Sequence, residues 1–237
     1  MASPTARDQA DWSDLLAGDR ALLDRTSTAE RVADALRQWI IDGRLRPGTQ
    51  LSEHSAGKAL GVSRNTLREA FRLLVHERLL VHEFHRGVFV RVLAADDVTD
   101  LYRTRRLLET GAIRAASDVP PDVLAERLSA IDAAITAAED AAVEEHWLDV
   151  GTANMRFHQA ITALAGSPRA DEIMQQLTAE LRLAFHATSA LRRFHEPYIE
   201  LNRGIARLLG DGEFGAAARA LDEYLTTAQR QLLDAFA

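Results

Sequence analysis

Val32, Ala35, Leu36, Trp39 and Ile40 set apolar side chains at helical spacing, and the pattern stops at Asp42-Gly43. That predicts an amphipathic helix. Ser27-Thr28-Ala29-Glu30 opens it as a capping box, with Ser at the N-cap and Glu at N3, and Gly43 suits the left-handed position that closes a helix. Arg44-Leu45-Arg46-Pro47-Gly48-Thr49 reads as a turn whose backbone is fixed by Pro and Gly. Gln50-Leu51 predicts a very short strand, and Ser52 can cap a second short helix over Glu53 to Leu60. After a tight turn at Gly61-Val62, Ser63 caps a third helix, in which Leu67, Ala70, Phe71 and Leu74 recur at i, i+3, i+4, i+7. Its polar side is unusual, because Arg64, Asn65, Thr66 and Arg68 crowd the first two turns. Leu79 to Glu83 and Val88 to Val92 are strand-like in their β-branched and apolar content, and Phe84-His85-Arg86-Gly87 between them makes a hairpin tip carrying a cation.

From Asp96 onward the period is helical almost without break. Six helices are predicted, over roughly 96–117, 121–139, 143–165, 168–190, 195–210 and 213–236. Pro120-Pro121, Gly166-Ser167-Pro168, Glu196-Pro197 and Gly210-Asp211-Gly212 punctuate them. Such short connections make neighbouring helices antiparallel. Residues 1–27 form an N-terminal extension in which Trp12, Leu15, Leu16, Leu22 and Leu23 give at most a frayed helix, and partial disorder is expected there. Residues 28–93 form the first domain and residues 94–237 the second.

Charge sharpens this division. The net charge of −7 would argue against a polyanionic partner for the chain as a whole. Residues 30–93, however, carry 11 Lys and Arg against 7 Asp and Glu, whereas residues 94–237 carry 14 against 23. The basic part coincides with the helix-rich first domain and its hairpin, which is where phosphate neutralisation would be needed. With no cysteine there are no disulfides and no thiol chemistry. No apolar run approaches the roughly 20 residues of a membrane span. The first 25 residues lack a continuous apolar segment and contain Asp8, Asp11, Asp14 and Asp19, unlike a secretory signal, so a cytoplasmic location with no membrane partner is expected.

Three motifs in order now carry a resemblance. Gly43-Arg44-Leu45-Arg46-Pro47-Gly48-Thr49-Gln50-Leu51-Ser52-Glu53, then Leu60-Gly61-Val62-Ser63-Arg64-Asn65-Thr66-Leu67-Arg68-Glu69-Ala70, then Arg86-Gly87-Val88-Phe89-Val90 resemble the winged helix-turn-helix domain of the GntR family of bacterial transcription regulators. The resemblance implies that Ser63, Arg64, Asn65, Thr66 and Arg68 meet double-stranded DNA from the recognition helix, in the manner of helix-turn-helix proteins. It implies the same for Arg86 and Gly87 in the wing, where a narrow minor groove attracts guanidinium. Arg44 in the turn and His54 on the second helix complete the expected DNA-binding set. The chain departs from the family at that second helix, where an Arg and a Leu-Ala pair are usual and His54, Ala56 and Gly57 stand instead. Gly57 inside a helix costs about 1 kcal/mol against Ala, so a weaker second helix and an altered operator are expected.

The second domain resembles the FCD effector domain of the FadR subfamily, in its smaller VanR-like branch. Leu101-Tyr102-Arg103-Thr104-Arg105-Arg106-Leu107-Leu108-Glu109, Asn154-Met155-Arg156-Phe157-His158 and Gly212-Glu213-Phe214-Gly215-Ala216-Ala217-Ala218-Arg219 carry the likeness. Such domains often hold a divalent metal with Asp or Asn and three His. Here Asn154 and His158 remain, four apart on one helix face, but the other two imidazole positions align with Asn202 and Tyr224, which are poor ligands for zinc or nickel. No metal or other cofactor is therefore expected. Asn154, His158, Asn202 and Tyr224 are expected to line a polar effector pocket, against the alternative that His158 is a satisfied core histidine. His186 and His195 stand near enough in sequence to replace the lost imidazoles. Arg106 corresponds to a subfamily Arg that looks inward and would grip a carboxylate effector bidentately, against the alternative of a salt bridge within the bundle.

The sequence holds no G-x-S-x-G, no P-loop and no H-E-x-x-H, so no enzyme is expected. The expected fold class is mainly α, an N-terminal winged helix-turn-helix followed by an antiparallel six-helix FCD-type bundle. The expected function is a homodimeric DNA-binding transcription regulator, a repressor by the commoner family arrangement, modulated by a small organic acid. The alternative is a constitutive DNA-binding dimer whose helical domain serves dimerisation only; a closed, apolar bundle interior would favour it, and a roomy polar one would sink it.

Overall fold

The computed structural model describes residues 27–185 and 191–234. Helix α1, Thr28–Ile41, is opened by the predicted capping box: Glu30 N donates to Ser27 Oγ at 3.1 Å, and Ser27 N donates to Glu30 Oε2 at 2.6 Å. Its buried face is Ala29, Val32, Ala33, Leu36 and Ile40. Strand β1, Gln50–Leu51, leads into α2, Glu53–Leu60, which Ser52 caps and which ends at Gly61 in left-handed backbone. Helix α3, Arg64–His76, buries Leu67, Ala70, Phe71 and Leu74 against α1. Gly57 has a packing reason for lacking a side chain. A Cβ there would lie 3.1 Å from the Val62 carbonyl oxygen and 3.2 Å from Leu67 Cδ1, so the missing methyl lets α2 and α3 approach.

Strands β2, Leu80–Glu83, and β3, Gly87–Val90, form the hairpin, and β1 pairs on the far edge of β3, so the antiparallel sheet has the order β1-β3-β2. The register sets Gln50 opposite Phe89 and Glu83 opposite Gly87. His85 at φ 59° and Gly87 at φ 102° make the tip. Val88 and Val90 face inward onto Leu67, Leu74 and Leu79, fixing the wing to the helices.

The second domain contains α4, Ala95–Ala115, with a 3-10 turn at Ala116–Asp118, then α5, Pro121–Val143, α6, Trp147–Ala163, α7, Pro168–Phe185, α8, Leu191–Gly210, and α9, Phe214–Asp234. These are the six helices the sequence predicts, with α5 lying along α6 and α9 along α4. One boundary differs. Glu196-Pro197 was expected to mark a break, yet Pro197 lies inside α8. Proline has no N–H for the carbonyl four residues back, here that of Arg193. The Gln231 side chain of α9 donates Nε2 to the Arg193 oxygen at 3.3 Å and so replaces the missing bond.

Arg91, just beyond β3, ties the two domains. Its guanidinium meets Asp97 at the start of α4 at 2.6 Å and Glu180 of α7 at 2.9 Å. Among the described residues no helix is long and apolar enough to cross a membrane.

Candidate functional site

Two groups of predicted residues fall in two places. On the first domain, Ser63 caps α3 by accepting from Thr66 N at 3.1 Å, and the two hydroxyls lie 2.8 Å apart. Arg64, Asn65 and Arg68 stand exposed on the first two turns, with Thr66 half-buried behind them. Arg64 Nη2 donates to His54 Nδ1 at 3.5 Å, which joins the second helix to the third. Arg68 pairs with Glu53 at 3.0 Å. In the wing, Arg86 is exposed, pairs with Glu83 and stacks over Phe89 at 5.2 Å. Gln50 Nε2 donates to the Arg86 carbonyl at 2.6 Å, holding the tip from the opposite edge of the sheet. Arg44 is exposed and stacks over Trp39 at 5.4 Å. The recognition-helix residues thus form one cationic, donor-rich face, and the open N–H groups of a helix N-terminus add to its attraction for phosphate.

The second group lies in the bundle. Asn202 Nδ2 of α8 donates to Asn154 Oδ1 of α6 at 2.7 Å. The Tyr224 hydroxyl of α9 lies 3.0 Å from the same oxygen and 3.1 Å from His158 Nε2. His158 Nδ1 lies 2.6 Å from Glu109 Oε2, and Arg105 Nε donates to Glu109 Oε1 at 2.8 Å. The four expected residues are therefore together, and α4 adds two more to make one continuous chain of hydrogen bonds. Burial lowers the His158 imidazole, with the Arg105 charge adding to that and Glu109 opposing it, so His158 is held neutral. Burial acts to raise the Glu109 carboxyl, but Arg105 and His158 outweigh it and hold the group below its ordinary value. A neutral His158 then donates Nδ1–H to the Glu109 carboxylate. Its Nε2 accepts, and the single Tyr224 proton is left with two acceptors.

The inward arginine is Arg105, not Arg106. Arg105 is 2% exposed, whereas Arg106 turns aside to donate to Gln229 of α9 at 2.8 Å. Val98, Tyr102, Arg105, Glu109 and Ile113 form one buried stripe on α4, and position 106 lies a hundred degrees off it. That stripe was visible in the sequence and would have chosen between the two adjacent arginines.

A divalent metal does not fit these donors. Among the described residues no group of three or more His, Cys, Asp or Glu side chains is placed to hold one. The site offers one imidazole, two amides, a phenol that burial pushes well above its ordinary value, and one carboxylate, Glu109, already held by Arg105 and His158. His195 does not join them. It lies beside Arg182 and Phe185 instead, and His186 lies outside the described residues. The space among Tyr102, Arg105, His158, Tyr198 and Tyr224 is about 10 Å³, at the lower limit for one water. The polar chain of side chains is packed among Met155, Leu181, Phe185 and Phe194, and the space is closed.

Residues 28–90 match the family of bacterial regulatory proteins, gntR family, and residues 100–227 match the FCD domain. A solved structure from Rhodococcus sp. RHA1, described as a GntR transcriptional regulator, is 42% identical and superposes with a TM-score of 0.82 over 90% of this chain and 100% of that one. The gluconate operon transcriptional repressor of Bacillus subtilis (strain 168) is 34% identical over 109 residues, 46% of this chain and 44% of that protein. The HTH-type transcriptional regulator YdhC of the same organism is 30% identical over 131 residues, 53% of this chain and 55% of that protein. The chain thus spans about half the length of these two curated relatives.

Proposed function

The chain belongs to the GntR family of bacterial regulatory proteins, with an FCD domain as its helical part, and on that premise we propose a homodimeric transcription repressor whose operator binding is modulated by a small organic acid. The family is one of transcription regulators and not of enzymes. The observation that carries the reading is the exposed Arg64, Asn65 and Arg68 on the Ser63-capped end of α3, the end that helix-turn-helix proteins insert into the major groove. Each protomer would place α3 in one half of a near-palindromic operator, with Arg86 of the wing on the flanking backbone, since two-fold protein symmetry matches a two-fold site. A relative named as an operon repressor supports the sign, and an operator on bacterial DNA would be met in the cytoplasm.

The acid would act in the bundle. Arg105 is the cation positioned to take its carboxylate, with His158, Tyr224, Asn154 and Asn202 around it. Two buried atoms there have no partner, Arg105 Nη2 and Asn202 Oδ1, and such orphans are costly. Because Glu109 already holds Arg105 and the space is closed, the acid must displace Glu109. That displacement would move α4, which Arg91 and Asp97 join to the wing, and a ligand favouring one arrangement shifts the population toward it. The closed interior equally favours a second reading, a constitutive DNA-binding dimer in which this network only holds the core.

The test titrates fluorescent duplexes selected from random DNA against the protein and its Arg64→Ala variant. Loss of at least about tenfold in affinity and a salt slope smaller by about 0.9 are expected; unchanged affinity would refute the recognition-helix assignment. A melt of the EDTA-treated protein against small carboxylates, each with and without a divalent metal, separates the two readings. A shift with acid alone supports the effector, because a ligand of the folded state raises the melting temperature. No shift with any acid supports the constitutive dimer.

A further inference from the structure

Arg182 of α7 is 3% exposed, yet no carboxylate lies within ion-pair distance of it among the described residues. Its Nη2 donates to the Thr152 hydroxyl of α6, and its Nε has no partner. Behind it lies His195 of α8, 2% exposed, with neither ring nitrogen hydrogen-bonded. The two meet at Gly151, where a Cβ would lie 2.8 Å from His195 Nε2 and 3.2 Å from Arg182 Nη1. A buried guanidinium without a counter-ion is strongly unfavourable. Arg105 has its own carboxylate in Glu109; Asp42 and Asp149 act on Arg182 only from beyond ion-pair distance.

What Arg182 does face is a cleft. It lines a space of about 310 Å³ between α1 of the DNA-binding domain and the α6–α7 face of the bundle. The lining contains three arginines and three glutamines, and no Asp or Glu. Arg37 of α1 is already engaged, with Glu77 and Asp34. Arg156 of α6 is exposed and makes no ion pair or hydrogen bond among the described residues. Two cations on adjacent helices, neither in an ion pair among the described residues, thus share one cleft with Gln38 of α1, whose Nε2 donates to Asp42 Oδ1 at 2.7 Å.

We propose that this cleft is an oxyanion site, in which a small phosphate- or carboxylate-bearing ligand bridges Arg182 and Arg156 and reaches α1 through Gln38. The ligand supplies the direct ion pair that Asp42 and Asp149, acting from farther off, do not give Arg182. Because it touches both domains, it holds the winged helix in one pose against the bundle. The site adjoins the Arg105–Glu109–His158 network, with Met155 and Thr178 lining both, but its existence does not depend on an effector entering there.

Isothermal titration of the full chain with inorganic phosphate, and separately with succinate, at constant ionic strength set with chloride, tests it. Saturable binding of at least one is expected, and the two arms decide between phosphate and carboxylate. Arg156→Ala should weaken it about tenfold, the loss of one charge-assisted contact, and Arg182→Gln should abolish it. Arg182→Gln also removes a buried unpaired charge, so its melting temperature without anion should be equal to or above that of the wild type. Arg103→Gln, which removes an exposed cation paired with Asp100 on α4, should leave the titration unchanged. Absence of saturable binding to both anions overturns the proposal. So does binding that keeps its full strength in both arginine variants, or that Arg103→Gln weakens as much as Arg156→Ala does, which would mark a response to net charge alone.

Discussion

Glu109 Oε2 lies 2.6 Å from His158 Nδ1 where neither side chain meets solvent. With Arg105 on its other oxygen, Glu109 occupies the place that an acid ligand would take against the same two groups. Removing it leaves a buried guanidinium alone, which costs about 3–5 kcal/mol. Glu109→Ala should therefore lower the urea midpoint sharply. Added acetate should restore part of the loss in the variant and do nothing for the wild type, since only the variant has an opening of carboxylate size beside Arg105. A variant as stable as the parent would show that the pair contributes nothing to the fold.

Burial, with the charge of Arg182 beside it, pushes His195 down to about 4, and His158 is lowered as well. Between that value and the ordinary imidazole value near 6.5 the unfolded chain binds protons that the folded one does not. Stability therefore rises with pH across this window and falls on acidification. His195 alone would account for roughly 3 kcal/mol between pH 7 and pH 4. Glu109, held low, adds loss below the ordinary carboxylate range. Glu180, raised by burial against the pull of Arg91, works in the opposite direction. Urea unfolding at pH 7 and pH 5 should show the drop, and His195→Gln should flatten it. An equal slope in that variant would sink the assignment to His195.

Much of this was readable from the sequence because local chemistry decided it. Ser27, Ser52 and Ser63 are caps whose effect reaches only three residues, and the i, i+3, i+4, i+7 pattern of Leu67 to Leu74 fixes which face of α3 packs. Gathering Asn154, His158, Asn202 and Tyr224 needed only that their helices be adjacent. What escaped depends on contacts between distant residues. Pro197 continues a helix because a side chain 34 positions later, Gln231, accepts the task of the missing N–H. Two adjacent arginines differ in direction by one residue's rotation. The closure of the interior depends on the summed volume of aromatic side chains from four helices, which no local pattern states.

The Gln231 arrangement makes a prediction of its own. Its Nε2 donates to the Arg193 carbonyl, and its Oε1 accepts from the Tyr198 hydroxyl at 2.7 Å. Gln231→Leu leaves the part-buried Tyr198 hydroxyl without this partner and the exposed Arg193 carbonyl to solvent, at a cost of about 1 kcal/mol. In Pro197→Ala the backbone N–H returns to the Arg193 oxygen, so Gln231→Leu should cost less in that background. A double-mutant cycle by chemical unfolding measures the difference. Strict additivity would mean that Gln231 does not compensate for the proline.

Arg91 offers the clearest test of how the domains are joined. Its guanidinium reaches both the start of α4, through Asp97, and α7, through Glu180. Glu180 is 4% exposed, so truncating Arg91 strands a buried carboxylate and should cost several kcal/mol. Arg91→Ala should loosen the segment between Val90 and Ala95 while leaving the hydrophobic packing intact, because Arg91 is not one of the packed apolar residues. Limited proteolysis should then release a fragment cut in that segment, and unfolding should separate into two transitions. Glu180→Gln in the same background removes the stranded charge and should recover stability without restoring the junction, so the fragment should persist. Resistance of Arg91→Ala to cleavage would mean that packing between α1 and α7 holds the domains together without this bridge.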